Sequence, residues 1–172
     1  MSQVNATNSL SQIMADIDLG PSGSIQFLFA KLQMAQSQIC KNQAESYMKQ
    51  IETIQEEQQL TAKMIEEARK MQNEAKAGGK KHATAMSEEM QKFFNDRGLS
   101  YDKTGNNDTH NADEWDYNLK SLTNYQEQIG SKTQTLMIYL QDFIGQYNSY
   151  QEGAMSAVSS ATQTLRTIAR GQ

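Results

Sequence analysis

The sequence predicts an all-α protein, a long antiparallel helical hairpin or coiled coil with a short helical and loop region in its middle. Two extended stretches place apolar residues every three or four positions, which is the repeat of one helix face. Hydrophobic residues make up only 37% of the 172 residues, and Pro21 is the single proline. Neither Gly nor Pro occurs between Ser24 and Ala77. Such a composition favours long helices over a sheet.

Residues 1–20 are predicted to form a flexible N-terminal secretion segment. They are polar and rich in Ser, Asn, Thr and Gln, a composition typical of mobile chain. They lack the basic and apolar regions of a Sec signal peptide. The stretch also suits signals that are read by export machines accepting unfolded chains. Turn-forming Gly20, Pro21 and Gly23 follow it, and Ser22 and Ser24 are candidate helix caps.

Residues 21–78 are predicted to form a long N-terminal helix that ends at Gly78 and Gly79. Gln58 and Thr61 interrupt its apolar stripe at core-like positions, which predicts a weaker seam than that of the last helix. The start of the helix is apolar on several faces, and such a helix is usually enclosed on several faces. The predicted packing residues are Ile25, Phe27, Leu28, Phe29, Leu32, Ile39, Ile51 and Ile54.

Residues 79–112 are predicted to connect the two long helices through a short helix and a polar loop. The short helix lies within residues 87–98, where Ser87 is a candidate N-cap and Gly98 a candidate residue just beyond the C-terminal cap. The following segment is polar and rich in turn residues, so we expect a loop.

Residues 113–170 are predicted to form a long C-terminal coiled-coil helix that begins near Asp113, with Asp116 as a weak capping-box partner. Gly130, Gly145 and Gly153 lie inside it and indicate either local flexibility or close approach by a neighbouring helix. Its apolar seam is the predicted coiled-coil and self-association surface: Leu122, Ile129, Leu136, Leu140, Phe143, Tyr147, Tyr150, Val158, Leu165 and Ile168.

The opposite face of this last helix is almost uncharged. Only Asp142 and Glu152 are ionised between residues 136 and 158. A helix with one solvated face normally carries Lys and Glu there. We therefore expect this face to contact other subunits.

The charge balance and hydropathy exclude several classes of protein. A net charge of −4 and a pI of about 5.2 argue against a nucleic-acid-binding protein, which usually presents a basic face. No apolar run approaches the roughly 20 residues of a membrane-spanning helix, so we expect no integral membrane segment. This also argues against a membrane-active translocator.

We expect no enzymatic activity, no catalytic residues, no cofactor and no metal. His82 and His110 have no second His or Cys at ligand spacing, which predicts solvated surface histidines. Residues 102–114 are acidic like a calcium loop, but Asn107 stands where the required Gly belongs and the bidentate Glu is missing. Cys40 is the only cysteine, so an internal disulfide is impossible.

Methionine is frequent, with ten in the chain. A methionine stripe is more typical of adaptable packing than of a cofactor site. Such packing also suits interfaces that rearrange between a stored and an assembled state. The methionines on the helical stretches include Met34, Met48, Met64, Met71, Met137 and Met155.

Three stretches together resemble the EspA/SseB family of type III secretion proteins, which form extracellular filaments or needle-tip sheaths. The first is residues 25–51, an apolar start followed by an Ala/Gln/Ser helix that contains Met34–Ser37. The second is residues 87–105, with an acidic start, a hydrophobic pair and an extended polar segment. The third is the coil of residues 115–168. The likeness lies in their order and spacing.

The resemblance implies a coiled-coil hairpin that polymerises with itself into a hollow tube on the type III needle. Effectors and translocator proteins would pass through this tube toward a host cell. It further implies a dedicated cytoplasmic chaperone before export, export without a cleaved signal, and location on the bacterial surface. The middle region is shorter than is usual in the family, which leaves a long filament and a short tip complex both open.

The alternative hypothesis is a cytoplasmic coiled-coil adaptor or secretion chaperone that binds another helical protein. An adaptor does not need a polar leader, so deletion of residues 2–20 should block export under the first hypothesis and spare binding under the second. We also expect acidic substitutions at Leu140 and Phe143 to abolish assembly without affecting export.

Overall fold

The computed structural model describes residues 10–17, 24–79, 82–104 and 108–171 and confirms the all-α hairpin. Helix α2, which runs antiparallel to α4, packs against it. The elements in chain order are α1 (Leu10–Asp16), α2 (Ile25–Ala77), β1 (Thr84–Ala85), α3 (Glu88–Asp96), β2 (Thr109–His110) and α4 (Ala112–Arg170).

The start and end of α2 follow the predicted signals. The backbone N–H of Phe27 donates to Ser24 Oγ at 3.3 Å, which confirms Ser24 as the cap. After Ala77 the chain turns through Gly79, whose φ of 89° lies in the left-handed region that favours glycine. The predicted turn segment before this helix, Gly20–Gly23, lies outside the described residues.

Only part of the predicted flexible segment is described. Within residues 1–20, Leu10–Asp16 form α1, and its Ile13 is buried. This seven-residue helix was not predicted, because a short polar stretch carries too few apolar positions to define a period. Residues 1–9 and 18–20 lie outside the described residues.

The chain divides into two compact units. The terminal unit comprises Met1–Gln50 and Leu136–Gln172, and the central unit comprises Ile51–Thr135. Both long helices contribute to both units. The buried hydrophobic core cluster belongs entirely to the central unit: Met64, Ile65, Ala68, Ala75, Met86, Met90, Phe93, Phe94, Trp115 and Leu122.

The polar interruptions of the α2 stripe are satisfied within the central unit. Thr61 is fully buried, and its hydroxyl donates to the carbonyl of Glu57 at 2.7 Å. The side-chain amide of Gln58 donates to Thr133 Oγ1 on α4 at 3.3 Å. These hydrogen bonds let α2 keep polar residues at core-like positions without orphaned polar atoms.

A small antiparallel sheet forms where the sequence predicted only loop. Thr84 of β1 pairs with His110 of β2, and the N–H of Met86 donates to the Asp108 carbonyl at 2.7 Å. The indole N–H of Trp115 donates to Thr84 Oγ1 at 2.7 Å. Strands of two residues have no hydrophobic period, so the pattern of the sequence could not reveal them.

Helix α3 has the predicted ends. The N–H of Met90 donates to Ser87 Oγ at 3.2 Å. Arg97 is the C-cap, and Gly98 follows with a φ of 63°. The predicted N-cap, Ser87, and the predicted residue beyond the C-cap, Gly98, are therefore both confirmed.

The predicted cap of α4 is wrong by two residues. Asn111 is the N-cap, because its Oδ1 accepts from the N–H groups of Asp113 at 2.9 Å and Glu114 at 3.1 Å. Glu114 Oε2 accepts from the Asn111 N–H at 2.7 Å and completes a capping box. Asp116 instead accepts from the side-chain amide of Gln72 at 3.3 Å.

In the part of the chain that the structure describes, every helix is either too short or too polar to cross a membrane.

Candidate self-association surface

The inside of the terminal unit is a seam of small and aromatic side chains. The ring of Tyr47 on α2 stacks on Phe143 of α4 with centroids 5.7 Å apart. In the same seam, the side-chain amide of Gln151 on α4 donates to Ser37 Oγ on α2 at 2.9 Å. Small buried residues let the two helices approach closely: Ala30, Ala35, Ala44, Ala154 and Ala161.

The glycines of α4 have different surroundings. A Cβ at Gly153 would lie 3.1 Å from Gln33 Oε1, so the predicted close approach of a neighbouring helix occurs there. A Cβ at Gly145 would meet no atom within 4 Å, and this residue has no packing role in the described structure.

Cys40 lies in the same seam. It is buried, and its Sγ is 3.7 Å from Gln146 Oε1. Burial raises the pKa of the Cys40 thiol, and the nearby Asp142 carboxylate raises it further. The thiol is thus a poor nucleophile in the folded chain.

The predicted packing residues of α2 fall into three groups. Ile51 and Ile54 are buried, and both belong to the central unit. Half-buried positions follow in the terminal unit: Phe27, Leu32 and Ile39. Ile25, Leu28 and Phe29 are 79%, 56% and 49% exposed, so the described residues leave the apolar start of α2 largely open to solvent.

The predicted seam of α4 is similarly divided. Leu122, Ile129 and Leu136 are buried, and the exposed members are Leu165 and Ile168. The half-buried members are Leu140, Phe143, Tyr147, Tyr150 and Val158. Since Phe143 stacks on Tyr47 of its own chain, this stretch of the seam belongs to the hairpin as well as to any assembly.

Exposed large hydrophobic side chains are concentrated in the terminal unit. Among the described residues, Tyr117 is the only exposed large hydrophobic residue of the central unit. The others all lie in the terminal unit: Leu10, Ile25, Leu28, Phe29, Met48, Met137, Ile138, Tyr139, Ile144, Met155, Leu165 and Ile168. Single exposed apolar residues are ordinary, but a concentration of them marks an interaction surface.

Three of these residues form a line along α4, which we call the outer stripe: Met137, Ile144 and Met155. Their separations of seven and eleven residues keep them on one side of a helix with 3.6 residues per turn. The sequence predictions missed this stripe because Phe143 and Tyr147 give a denser signal on the adjacent side of the helix. The uncharged character of this face was the sequence signal that could have located it.

An open groove of about 450 Å³ lies between the start of α2 and the later part of α4. Ile25 and Phe29 supply its large apolar side chains. Its lining, which falls within the described ranges 24–79 and 108–171, is uncharged: Ile25, Gln26, Phe29, Gly153, Ser156, Ala157 and Ser160. The groove can therefore accept an apolar side chain without burying an unpaired charge.

The methionines show the same division between the units. Met64 is fully buried in the central core. Met137 and Met155 are exposed on the outer stripe, and Met48 is exposed on α2. Unbranched, flexible methionine side chains suit a surface that must adapt to another protein.

Comparisons with known proteins identify no relative. No protein-family model, no curated protein and no solved structure matches the chain. The exposed surface of the terminal unit is therefore the observation on which a function must rest.

Proposed function

We propose that the protein is a secreted structural subunit of a type III secretion system that assembles with itself into an extracellular filament or needle-tip sheath. One observation carries the proposal: the central unit closes its own hydrophobic core, whereas the terminal unit presents large apolar side chains to solvent. The order of the three family-like stretches supports the specific secretion role.

Burial of the exposed side chains would favour association. Removing one large apolar side chain from water contributes about 1.5–3 kcal/mol. Association costs about 4–15 kcal/mol in lost freedom of motion. The outer stripe and Ile25, Leu28 and Phe29 are between 43% and 79% exposed, so each can contribute part of this amount, and together their burial is comparable in size to the cost.

The same surface favours a polymer over a closed dimer. The outer stripe and the groove beside Ile25 and Phe29 are different patches, so contact between them joins unlike surfaces of two copies. Repetition of a contact between unlike surfaces generates a helical filament unless the rotation closes a ring. The lining of the groove carries no charged residue, which avoids the cost of burying unpaired ions there.

The role in secretion follows from the resemblance. A tube of such subunits on the needle would conduct effectors and translocator proteins, with no catalytic step in the subunit itself. Before export, the exposed apolar surface of the terminal unit would require a cover, which is the task of a dedicated cytoplasmic chaperone.

The test compares assembly of the wild type with that of Ile144→Asp/Met155→Asp. Both residues are exposed in the single chain, so the charges should leave its helicity unchanged. We expect wild-type mass to grow with concentration and micrographs to show regular tubes, while the double variant stays at low mass. Acidic substitutions at Leu140 and Phe143 would test assembly less specifically, because the Phe143 ring also stacks on Tyr47 within the same chain.

The matched control is Tyr117→Asp, which places the same charge on a half-exposed residue of the central unit. It should assemble like the wild type. Assembly by the double variant would contradict the proposed surface. A wild-type dimer that never grows, and whose binding to another helical protein survives deletion of residues 2–20, would replace the proposal with the adaptor hypothesis.

A further inference from the structure

His110 is a buried residue of the central unit and not the solvated surface histidine that the sequence predicted. It ends β2 and is only 1% exposed. Its ring lies edge-on to Trp115 at 5.1 Å and to Tyr101 at 6.5 Å between centroids. The pairing of β2 with β1 carries the imidazole inward, which a loop assignment could not anticipate.

The polar atoms of this imidazole are unsatisfied. Neither Nδ1 nor Nε2 has a hydrogen-bond partner among the described residues, although buried polar atoms are nearly always paired. The carboxylates of Asp102 and Glu114 lie beside the ring. One ligand atom from each of Asp102, His110 and Glu114 falls within 4.8 Å of the other two.

The two carboxylates are held in place by backbone N–H groups. Thr104 N–H donates to Asp102 Oδ1 at 2.8 Å, and Asn111 N–H donates to Glu114 Oε2 at 2.7 Å. Each of these bonds engages one oxygen of its carboxylate and leaves lone pairs for a further partner. The Asp102 backbone is itself fixed, because its N–H donates to Asn118 Oδ1 at 2.7 Å.

We propose that Asp102, His110 and Glu114 bind a divalent first-row transition metal, with zinc as the representative ion. The cluster provides one nitrogen and two carboxylate oxygens from the loop after α3, from β2 and from the first turn of α4. The unpartnered buried imidazole is the observation that distinguishes it from an ordinary acidic cluster.

The donor set selects the class of metal. Imidazole nitrogen suits zinc, copper, iron and nickel, whereas calcium takes oxygen ligands alone. Three protein ligands with an open fourth position for water are a common zinc arrangement. With metal–ligand bonds of about 2.1 Å, tetrahedral ligand atoms lie about 3.4 Å apart, so the side chains must move inward by about 1 Å.

The protonation states suit metal binding. Burial lowers the pKa of His110 below its ordinary value, against the opposing effect of Glu114, Asp102 and Asp108. Burial thus favours the neutral imidazole, which is the form that binds metals. Hydrogen bonds from the hydroxyl and N–H of Thr104 lower the pKa of Asp102, which keeps that ligand ionised.

A bound ion would join the segment after α3 to β2 and to the start of α4. All three ligands belong to the central unit, so the ion would stabilise that unit. The inference does not depend on the proposed self-assembly, which uses the terminal unit.

The experiment uses the full-length chain after removal of metals with a chelator, titrated with zinc chloride by calorimetry. We expect one zinc per chain and a higher melting temperature. Asp102→Asn and Glu114→Gln should each weaken zinc binding at least tenfold, a loss at the level that even outer-shell changes produce. Gln at position 114 can still accept from Asn111, so the cap of α4 is preserved.

His82→Ala is the matched control, because His82 is the only other histidine and is exposed outside the cluster. This variant should bind zinc like the wild type. Absence of zinc binding by the folded wild type would overturn the proposal. Equal binding by the wild type, Asp102→Asn and Glu114→Gln would also overturn it, and loss of binding in His82→Ala would assign the zinc to an adventitious surface site.

Discussion

The guanidinium of Arg97 binds both oxygens of the Glu57 carboxylate, joining the C-cap of α3 to α2. The Nη2 atom lies 2.7 Å from Oε2. The same guanidinium lies 3.8 Å from the centroid of the Phe93 ring, and the hydroxyl of Tyr125 on α4 donates to Glu57 Oε1 at 2.9 Å. One carboxylate thus connects three helices of the central unit.

This arrangement predicts a pH-dependent contribution to stability. The hydrogen bond from Arg97 lowers the pKa of Glu57, burial opposes the shift, and Tyr125 lowers the pKa further. A carboxylate whose folded pKa is depressed stabilises the protein above its unfolded pKa, and this contribution is lost as the pH falls through the folded pKa. Glu57→Gln should therefore cost about 1–2 kcal/mol at pH 7 and very little below that folded pKa.

Urea unfolding of the wild type and of Glu57→Gln at a series of pH values from 7 to about 3 measures this effect. The control is Glu56→Gln, an exposed neighbour on the same helix, whose free energy of unfolding should follow that of the wild type. A cost of Glu57→Gln that does not change with pH would show that the ion pair is not its source.

The contact between Trp115 and Thr84 predicts the cost of losing one hydroxyl. Thr84 Oγ1 accepts from Trp115 Nε1 at 2.7 Å and donates to the Met71 carbonyl at 3.0 Å. Thr84→Val keeps the shape but leaves the buried indole N–H of Trp115 without an acceptor, so we expect a loss of about 1–3 kcal/mol in stability. Fluorescence of the single Trp, which is fully buried, follows the unfolding.

Thr109→Val is the control for Thr84→Val, since Thr109 lies on the partner strand opposite Ala85 and has an exposed side chain. It should change stability by only a few tenths of a kcal/mol. An equal effect of the two substitutions would point to strand propensity and not to the indole hydrogen bond.

Two identical substitutions of glycine should have opposite effects. Gly98 has a φ of 63°, where a Cβ costs about 1–2 kcal/mol, so Gly98→Ala should destabilise the protein. Gly145 lies within α4 and has open space around it, so Gly145→Ala should stabilise it by about 0.5–1 kcal/mol. Thermal unfolding of the two variants beside the wild type gives both signs, and a stabilising Gly98→Ala would contradict the assigned cap.

Cys40 provides a native reporter of the terminal unit. Because the thiol is buried and its pKa is raised, maleimide labelling should be much slower in the folded protein than in denaturant. Tyr47→Ala removes the stacked pair with Phe143, which is worth about 0.5–1.5 kcal/mol, and should speed labelling roughly two- to tenfold. Met48→Ala, an exposed neighbour, should leave the rate unchanged, and labelling of the wild type at the denatured rate would refute the packed seam.

The sequence alone predicted the hairpin, the long helices to within a few residues, and the caps at Ser24, Ser87 and Gly98. Helices of 53 and 59 residues repeat their apolar spacing many times, and a residue that caps a helix acts on its own neighbours in the chain. Repeated apolar spacing and helix caps involve residues close together in the chain, so they can be recognised without knowledge of the fold.

Only the tertiary structure decided which apolar residues stay exposed and which polar residues are buried. Leu28 and Leu32 sit on one sequence stripe, yet only Leu28 is exposed, because burial depends on what the other helix presents at that level. Likewise, Asp102, His110 and Glu114 meet because a two-residue strand turns one imidazole inward. Contacts between distant residues are set by packing across the fold, and a single sequence carries no periodic signal for them.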